Sequence, residues 1–206
     1  VKDFTSMFNS QRYFNQNINS WDISTVDNDA GYHKRGWGGI TFYPGIGGMF
    51  SNAIAFNQPL NNWDVRNIKW FNSLFSTAIS FNQPLNDWDT SSATSFPSLF
   101  YEAKSFNQPL DNWDTSNVEN MSRLFMIALE FDQDISGWDV SSVNNMEYTF
   151  ASAESFSGNL SNWDVSSVTT MNSMFTNANS FNSDISGWDV SNVTDLKGFV
   201  SGTDIF

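Results

Sequence analysis

An aspartate follows a tryptophan at Asp22, Asp64, Asp89, Asp114, Asp139, Asp164 and Asp189, and from Asp64 onward the step is always 25 residues. Carboxylates repeated in this way can accept backbone N–H groups, take calcium, or meet the basic side chains of a partner. They are poorly suited to catalysis. General acid–base work needs two carboxyl groups set apart by their environments, and these have the same neighbours each time. Arg66 stands where most copies have serine, within reach of Asp64 or Asp89. A second cluster, His33, Lys34, Arg35 and Trp37, falls in the glycine-rich stretch 27–45 and holds the only histidine. A basic and aromatic loop tip on an acidic body is a contact site for a partner. The chain has no cysteine and no Ser-His-Asp set, so no activated nucleophile is available and the expectation is a protein that is not an enzyme. "DNDAG" at 27–31 lacks the ligand spacing and closing glutamate of a calcium loop. No metal site and no cofactor follow, and calcium on the aspartate row is the one exception left open.

The elements that must position these groups repeat with them. Phe56, Phe81, Phe106, Phe131, Phe156, Phe181 and Phe206 keep the same 25-residue step. An earlier copy with Phe14, Trp21 and Asp22 lies 42 residues before the next, which places about 17 extra residues after Val26. The whole chain, 1–206, therefore reads as one stacked unit of about seven repeats with an insertion at 27–45. Both ends fall within a repeat and carry no capping pattern, so further repeats or caps are expected in the parent protein, and self-association through the ends is open.

Within a copy, Leu160-x-x-Trp163-x-Val165 has the form of a short strand with its apolar residues inward. From Val168 the apolar steps become 3, 3, 1, 3, which fits one face of a helix, with Ser166 or Ser167 as its N-cap. The predicted fold is an α/β repeat solenoid of leucine-rich-repeat type: a parallel sheet of about seven short strands, with a short helix or helical turns per repeat. The tryptophans would form an inner column, and the aspartates a row on the outer strand face. Neighbours about 4.8 Å apart in such a row repel by about 0.9 kcal/mol in water, so each must be offset, most simply by N–H groups of the serines that follow. The column Asn15, Asn57, Asn82, Asn107 and Asn182 is expected to satisfy backbone groups between copies.

The repeat "FNQPLNNWDVRNI", followed by Met-Phe and Phe-Asn, resembles that of BspA-like leucine-rich-repeat surface proteins, including the Mycoplasma-type lipoprotein repeat of unknown function. The resemblance covers nearly all of the chain except 27–45. It implies a secreted or surface-anchored protein that adheres to or binds a partner, and it supplies no catalytic residues.

Charge narrows the partners. Twenty-two acidic against nine basic residues give −13, which repels phosphate backbones and anionic lipid, so nucleic acid is excluded. No apolar run is long enough to insert in a bilayer. The expected function is noncatalytic recognition or adhesion, extracellular or at the cell surface, binding a protein or glycan through the strand face and the 27–45 loop. The alternative is a structural spacer or self-assembling rod segment.

Overall fold

A computed structural model describes residues 2–26 and 45–202. The insertion at 27–45, apart from Gly45, lies outside them. Among the described residues there is no helix and no run of strand; each copy is a chain of turns, and the sheet is reduced to isolated parallel bridges linking Trp70, Ser95, Asn120, Asn145, Thr170 and Asp195 in series. The expected α/β architecture, with its parallel sheet of about seven strands and a helix in every copy, is therefore wrong.

Backbone hydrogen bonding gives the reason. An α-helix spends its N–H groups on carbonyls four residues back. Here Leu74, Ser76 and Ala78 donate to Phe71, Ser73 and Phe75, three residues back, while the alternate donors Phe71, Ser73, Phe75 and Thr77 reach Ser95, Pro97, Leu99 and Tyr101 of the next copy. Half the donors thus bind copy to copy, and a continuous helix would consume all of them. Left-handed residues make the alternation: φ is +56° at Ser73 and +57° at Thr77, and the pair recurs at Ser98 and Glu102, Arg123 and Ile127, Tyr148 and Ser152, and Ser173 and Asn177. A helix tolerates none of these. The apolar spacing misleads because the turns bring Phe71, Leu74, Phe75 and Ala78 to one side, all fully buried, and that is the same i, i+3, i+4, i+7 pattern that a helix face shows.

The expected strand is also a turn. Trp163 N–H donates to the Leu160 carbonyl and Val168 N–H to Val165. Ser166 does not cap a helix; its N–H donates to Asp164 Oδ1 at 3.0 Å. The bridged position, Thr170, lies where the helix was placed.

The inward placement of the aromatic rings does hold. Phe75 stacks on Phe50 and on Phe100, each at 5.7 Å, and Phe81 lies between Phe56 at 5.9 Å and Phe106 at 6.0 Å. The two columns touch within each copy, with Phe75 and Phe81 centroids 4.0 Å apart. Trp88, Trp113 and Trp138 form a third column at 6.4 Å steps. These separations suit offset-stacked rings, which attract beyond their area burial. Each indole also ties two copies together: Trp88 Nε1 donates to the Leu60 carbonyl at 3.1 Å, and Trp113 Nε1 to Leu85 at 3.0 Å. A buried N–H with no acceptor would be costly, so this bond fixes the ring's depth.

Four members of the asparagine column, Asn15, Asn57, Asn82 and Asn107, perform the role expected of it. Asn15 Oδ1 accepts the N–H of Asn57 at 2.9 Å, Asn57 that of Asn82 at 3.0 Å, Asn82 that of Asn107 at 3.0 Å and Asn107 that of Asp132 at 3.0 Å. The same oxygens accept Nε2 of Gln58, Gln83, Gln108 and Gln133. One side chain per copy therefore satisfies two donors of the next.

The left-handed positions give a test that separates turns from helix. Gly48 and Gly198 occupy the position held by Ser98 in its copy, all with φ between +56° and +67°. Ser98→Gly is expected to raise stability by up to about 1 kcal/mol in urea melts, since glycine adopts this φ without penalty. In a helix interior the same change would lower it by about 0.5–1 kcal/mol.

Candidate functional site: a row of aspartate turns

Each aspartate lies between the tryptophan and the valine-type position of its own copy, as Asp64 does between the buried Trp63 and Val65. Asp22, Asp89, Asp114, Asp139, Asp164 and Asp189 are exposed, and Asp64 is half-buried. Alternation across a strand does not put them there. Each Oδ1 accepts the N–H two residues on, as in Asp89 to Ser91 at 3.1 Å, Asp114 to Ser116 at 3.0 Å and Asp189 to Ser191 at 3.0 Å. This Asx turn bends the chain so that the residues before and after the aspartate point inward together.

The serine hydroxyl adds a second bond. Ser24, Ser91, Ser116 and Ser141 donate Oγ–H to Asp22, Asp89, Asp114 and Asp139, each at 2.6 Å. That length marks a charge-assisted bond to an ionised acceptor. The serine hydroxyls hold Asp22, Asp89, Asp139 and Asp164 below the ordinary carboxylate value of 3.8, with the serine N–H adding to the effect. At Asp189 the serine N–H is the larger cause. Neighbouring acids act the other way, Asp164 on Asp139 and Asp189 on Asp164, without reversing the shift. Asp22, Asp89, Asp139, Asp164 and Asp189 are therefore biased towards the carboxylate form.

Arg66 departs from this pattern. Its backbone N–H reaches Asp64 Oδ1 at 3.3 Å and its Nε at 2.8 Å, so the guanidinium replaces the missing hydroxyl. Asp64, not Asp89, is its partner; Asp89 contributes only a weaker field. His33, Lys34, Arg35 and Trp37 lie outside the described residues.

Serine at the second position after aspartate was a readable signal. The same D-x-S spacing marks a further pair of turns, Asp134 with Ser136 at 2.9 Å and Asp184 with Ser186 at 3.0 Å. Sequence reasoning also passed over Thr90 and Thr115, which occupy the inward valine position. Their hydroxyls donate to the Asp114 and Asp139 carbonyls of the next copy at 3.0 and 2.8 Å, so the buried oxygens are satisfied.

One oxygen of each carboxylate in the row is already committed within the chain, to Arg66 at Asp64 and to a serine elsewhere. No group of three or more His, Cys, Asp or Glu able to hold a metal ion occurs among the described residues. Nor is any helix among them long and apolar enough to cross a membrane. What the arrangement presents is a line of oriented anionic acceptors.

The serine clamp gives a pH prediction whose sign follows from linkage. A carboxyl held below its ordinary value stabilises the fold above that value and ceases to do so as pH falls through the lowered one. The double variant Ser91→Ala/Ser141→Ala is expected to melt below wild type at pH 7. The gap should close as pH falls below 3.8, the ordinary value for Asp89 and Asp139. Paired thermal melts across the acid range check this, and a gap that persists below about pH 2 would assign the serines a purely steric role.

A family model described as Mycoplasma protein of unknown function, DUF285, matches residues 1–34, 45–128 and 104–206. No curated protein and no solved structure matches the chain.

Proposed function

The chain belongs to the DUF285 family of Mycoplasma proteins of unknown function, and on that premise we propose that it is a noncatalytic recognition module, part of an extracellular or surface-anchored protein. Its ligand is a protein surface rich in lysine and arginine, and its contact face is the aspartate row. The observation that carries this reading is the serine clamp, which leaves a line of exposed carboxylates oriented in advance of any partner. Side chains already fixed lose little entropy when a partner docks. A line of one sign also steers an oppositely charged surface toward it. A glycan gains less from such a row, because uncharged hydroxyls draw no benefit from the field. The likeness to BspA-like surface proteins favours the same reading. His33, Lys34, Arg35 and Trp37 form a second contact region, of opposite charge to the row.

The test substitutes Asp89→Asn, Asp114→Asn and Asp139→Asn together, since asparagine keeps the turn and removes the charge. Wild type and variant are offered to arrays of cell-surface and matrix proteins and of glycans. The expected result is one or more protein ligands whose affinity falls at least about tenfold in the variant and weakens as salt is raised. Equal binding by both forms, binding to glycans alone, or no binding by wild type would overturn the reading.

A further inference from the structure

We propose that two molecules of this chain pair side by side about a two-fold axis at Ile127, through the outward residues of the segment 123–130. The aspartate row takes no part in this contact, so it stands or falls apart from the recognition reading.

Residues that assemble the stack recur from copy to copy, and on this face they do not. Leu124, Phe125 and Ala128 are fully buried, which leaves Arg123, Met126, Ile127, Leu129 and Glu130 on the outside. The Met126 position holds Ser76 and Thr176 two copies away, and the Ile127 position holds Thr77 and Asn177. Met126, Ile127 and Leu129 are half-buried, as is Tyr101, which holds the Met126 position in the preceding copy. Ile127 is also strained. Its φ is +61°, and a β-branched side chain in the left-handed region is an outlier. Asn52 and Asn177 make the same turn at +58° and +56° with a side chain that suits it. Thr77 is branched too, but its hydroxyl meets Glu102 Oε2 at 3.5 Å. Ile127 has no polar atom to gain by and is not in the core. Strain of this kind persists where it serves a function, and a half-exposed isoleucine serves one by burying itself against another molecule.

Charge identifies that molecule. At a net charge of −13, a second copy is repelled wherever acids predominate. This face carries both signs. Arg123 lies 3.5 Å from Glu147 and Lys104 3.3 Å from Glu102, while Glu130 and Glu154 are exposed and in no ion pair among the described residues. In an isologous contact, a position on one side of the axis meets its counterpart on the other side. With the axis at Ile127, the order Arg123, Met126, Ile127, Leu129, Glu130 lays Met126 on Leu129 of the second copy and Arg123 on its Glu130. One repeat to either side, Tyr101 falls in the same way on Glu154 of the second copy, its hydroxyl a donor to the carboxylate. Apolar side chains meet apolar ones and cations meet anions, with the arginine, tyrosine and methionine that interfaces favour. Such a contact closes on itself, so assembly stops at two.

Sedimentation velocity on the 1–206 chain, from about 1 to about 100 μM, reads the association. The expected result is a weight-average mass that rises with concentration and levels off at twice the monomer. Ile127→Asn should weaken the dimer at least about tenfold yet melt no lower than wild type, because asparagine relieves the strain. Arg123→Glu and Glu130→Arg should each leave the chain monomeric, since each sets like charges against one another. Their equimolar mixture should dimerise, because every contact between positions 123 and 130 then joins opposite charges. Wild type that stays monomeric, growth beyond the dimer, or a dimer that Ile127→Asn leaves intact would overturn the proposal. So would an Ile127→Asn variant that melts below wild type, either charge variant dimerising alone, or a mixture that does not pair.

Discussion

Truncating Trp113 to alanine is expected to lower stability by about 3–5 kcal/mol, read as the shift in the urea midpoint at unchanged slope. The ring is 4% exposed and stacks between Trp88 and Trp138 at 6.4 Å, with Phe96 at 5.4 Å and Phe100 at 6.2 Å beside it. Alanine would leave a void walled by aromatic rings that are themselves locked in columns, so the site cannot collapse to fill it. The Nε1–H bond to the Leu85 carbonyl is lost as well. Trp113→Phe separates the two contributions: it keeps most of the volume and removes the donor, and should cost about 1–2 kcal/mol. Because each copy touches only its neighbours, the loss propagates as weakened coupling between two halves of the stack. Proteolysis of Trp113→Ala should therefore begin near residues 85–138, and a loss below about 1 kcal/mol would mean that the indole is not in the core.

The second large effect is in the backbone. Glu102→Pro is expected to cost about 3 kcal/mol or more, enough to unfold the neighbouring copies. Glu102 has φ of +55°, which proline cannot adopt, and its N–H donates to the Met126 carbonyl of the next copy at 2.7 Å, which proline cannot supply. Glu102→Gly is the control. It removes the same side chain, including the partly exposed pair with Lys104 at 3.3 Å, worth well under 1 kcal/mol, and leaves the backbone free to keep its turn. The glycine variant should melt close to wild type and the proline variant far below it. Equal losses would show that the side chain matters and the left-handed turn does not.

How much of this could be read in advance depends on the residue. The 25-residue period, the inward Trp113 and Phe100 and the tie through Asn57 and Asn82 were legible, because each follows from repetition: a single copy cannot bury its rings or satisfy its own donors. The secondary structure was not. Phe71, Leu74, Phe75 and Ala78 have the spacing of a helix face, and nothing in Ser73 or Thr77 signals a positive φ, since neither is glycine or asparagine. Gly48, Asn52, Asn177 and Gly198 held that clue at the equivalent positions of other copies, and comparing columns down the repeats would have found it. The outward aspartates were placed correctly for the wrong reason. A strand would point Asp164 outward by alternation; the chain does it by an Asx turn to Ser166. That difference matters to the site, because the turn commits one carboxylate oxygen and clamps the side chain, whereas a strand would leave both free.

The account rests on alternate N–H groups bonding from one copy to the next, with aromatic columns inside and the clamped acids outside. Through-hydrogen-bond scalar couplings measured by NMR on the deuterated protein test that pattern directly. The predicted couplings join the nitrogens of Phe96, Ser98, Phe100 and Glu102 to the carbonyl carbons of Asn120, Ser122, Leu124 and Met126. Couplings from these nitrogens to carbonyls about four residues back would restore the helix and contradict the account.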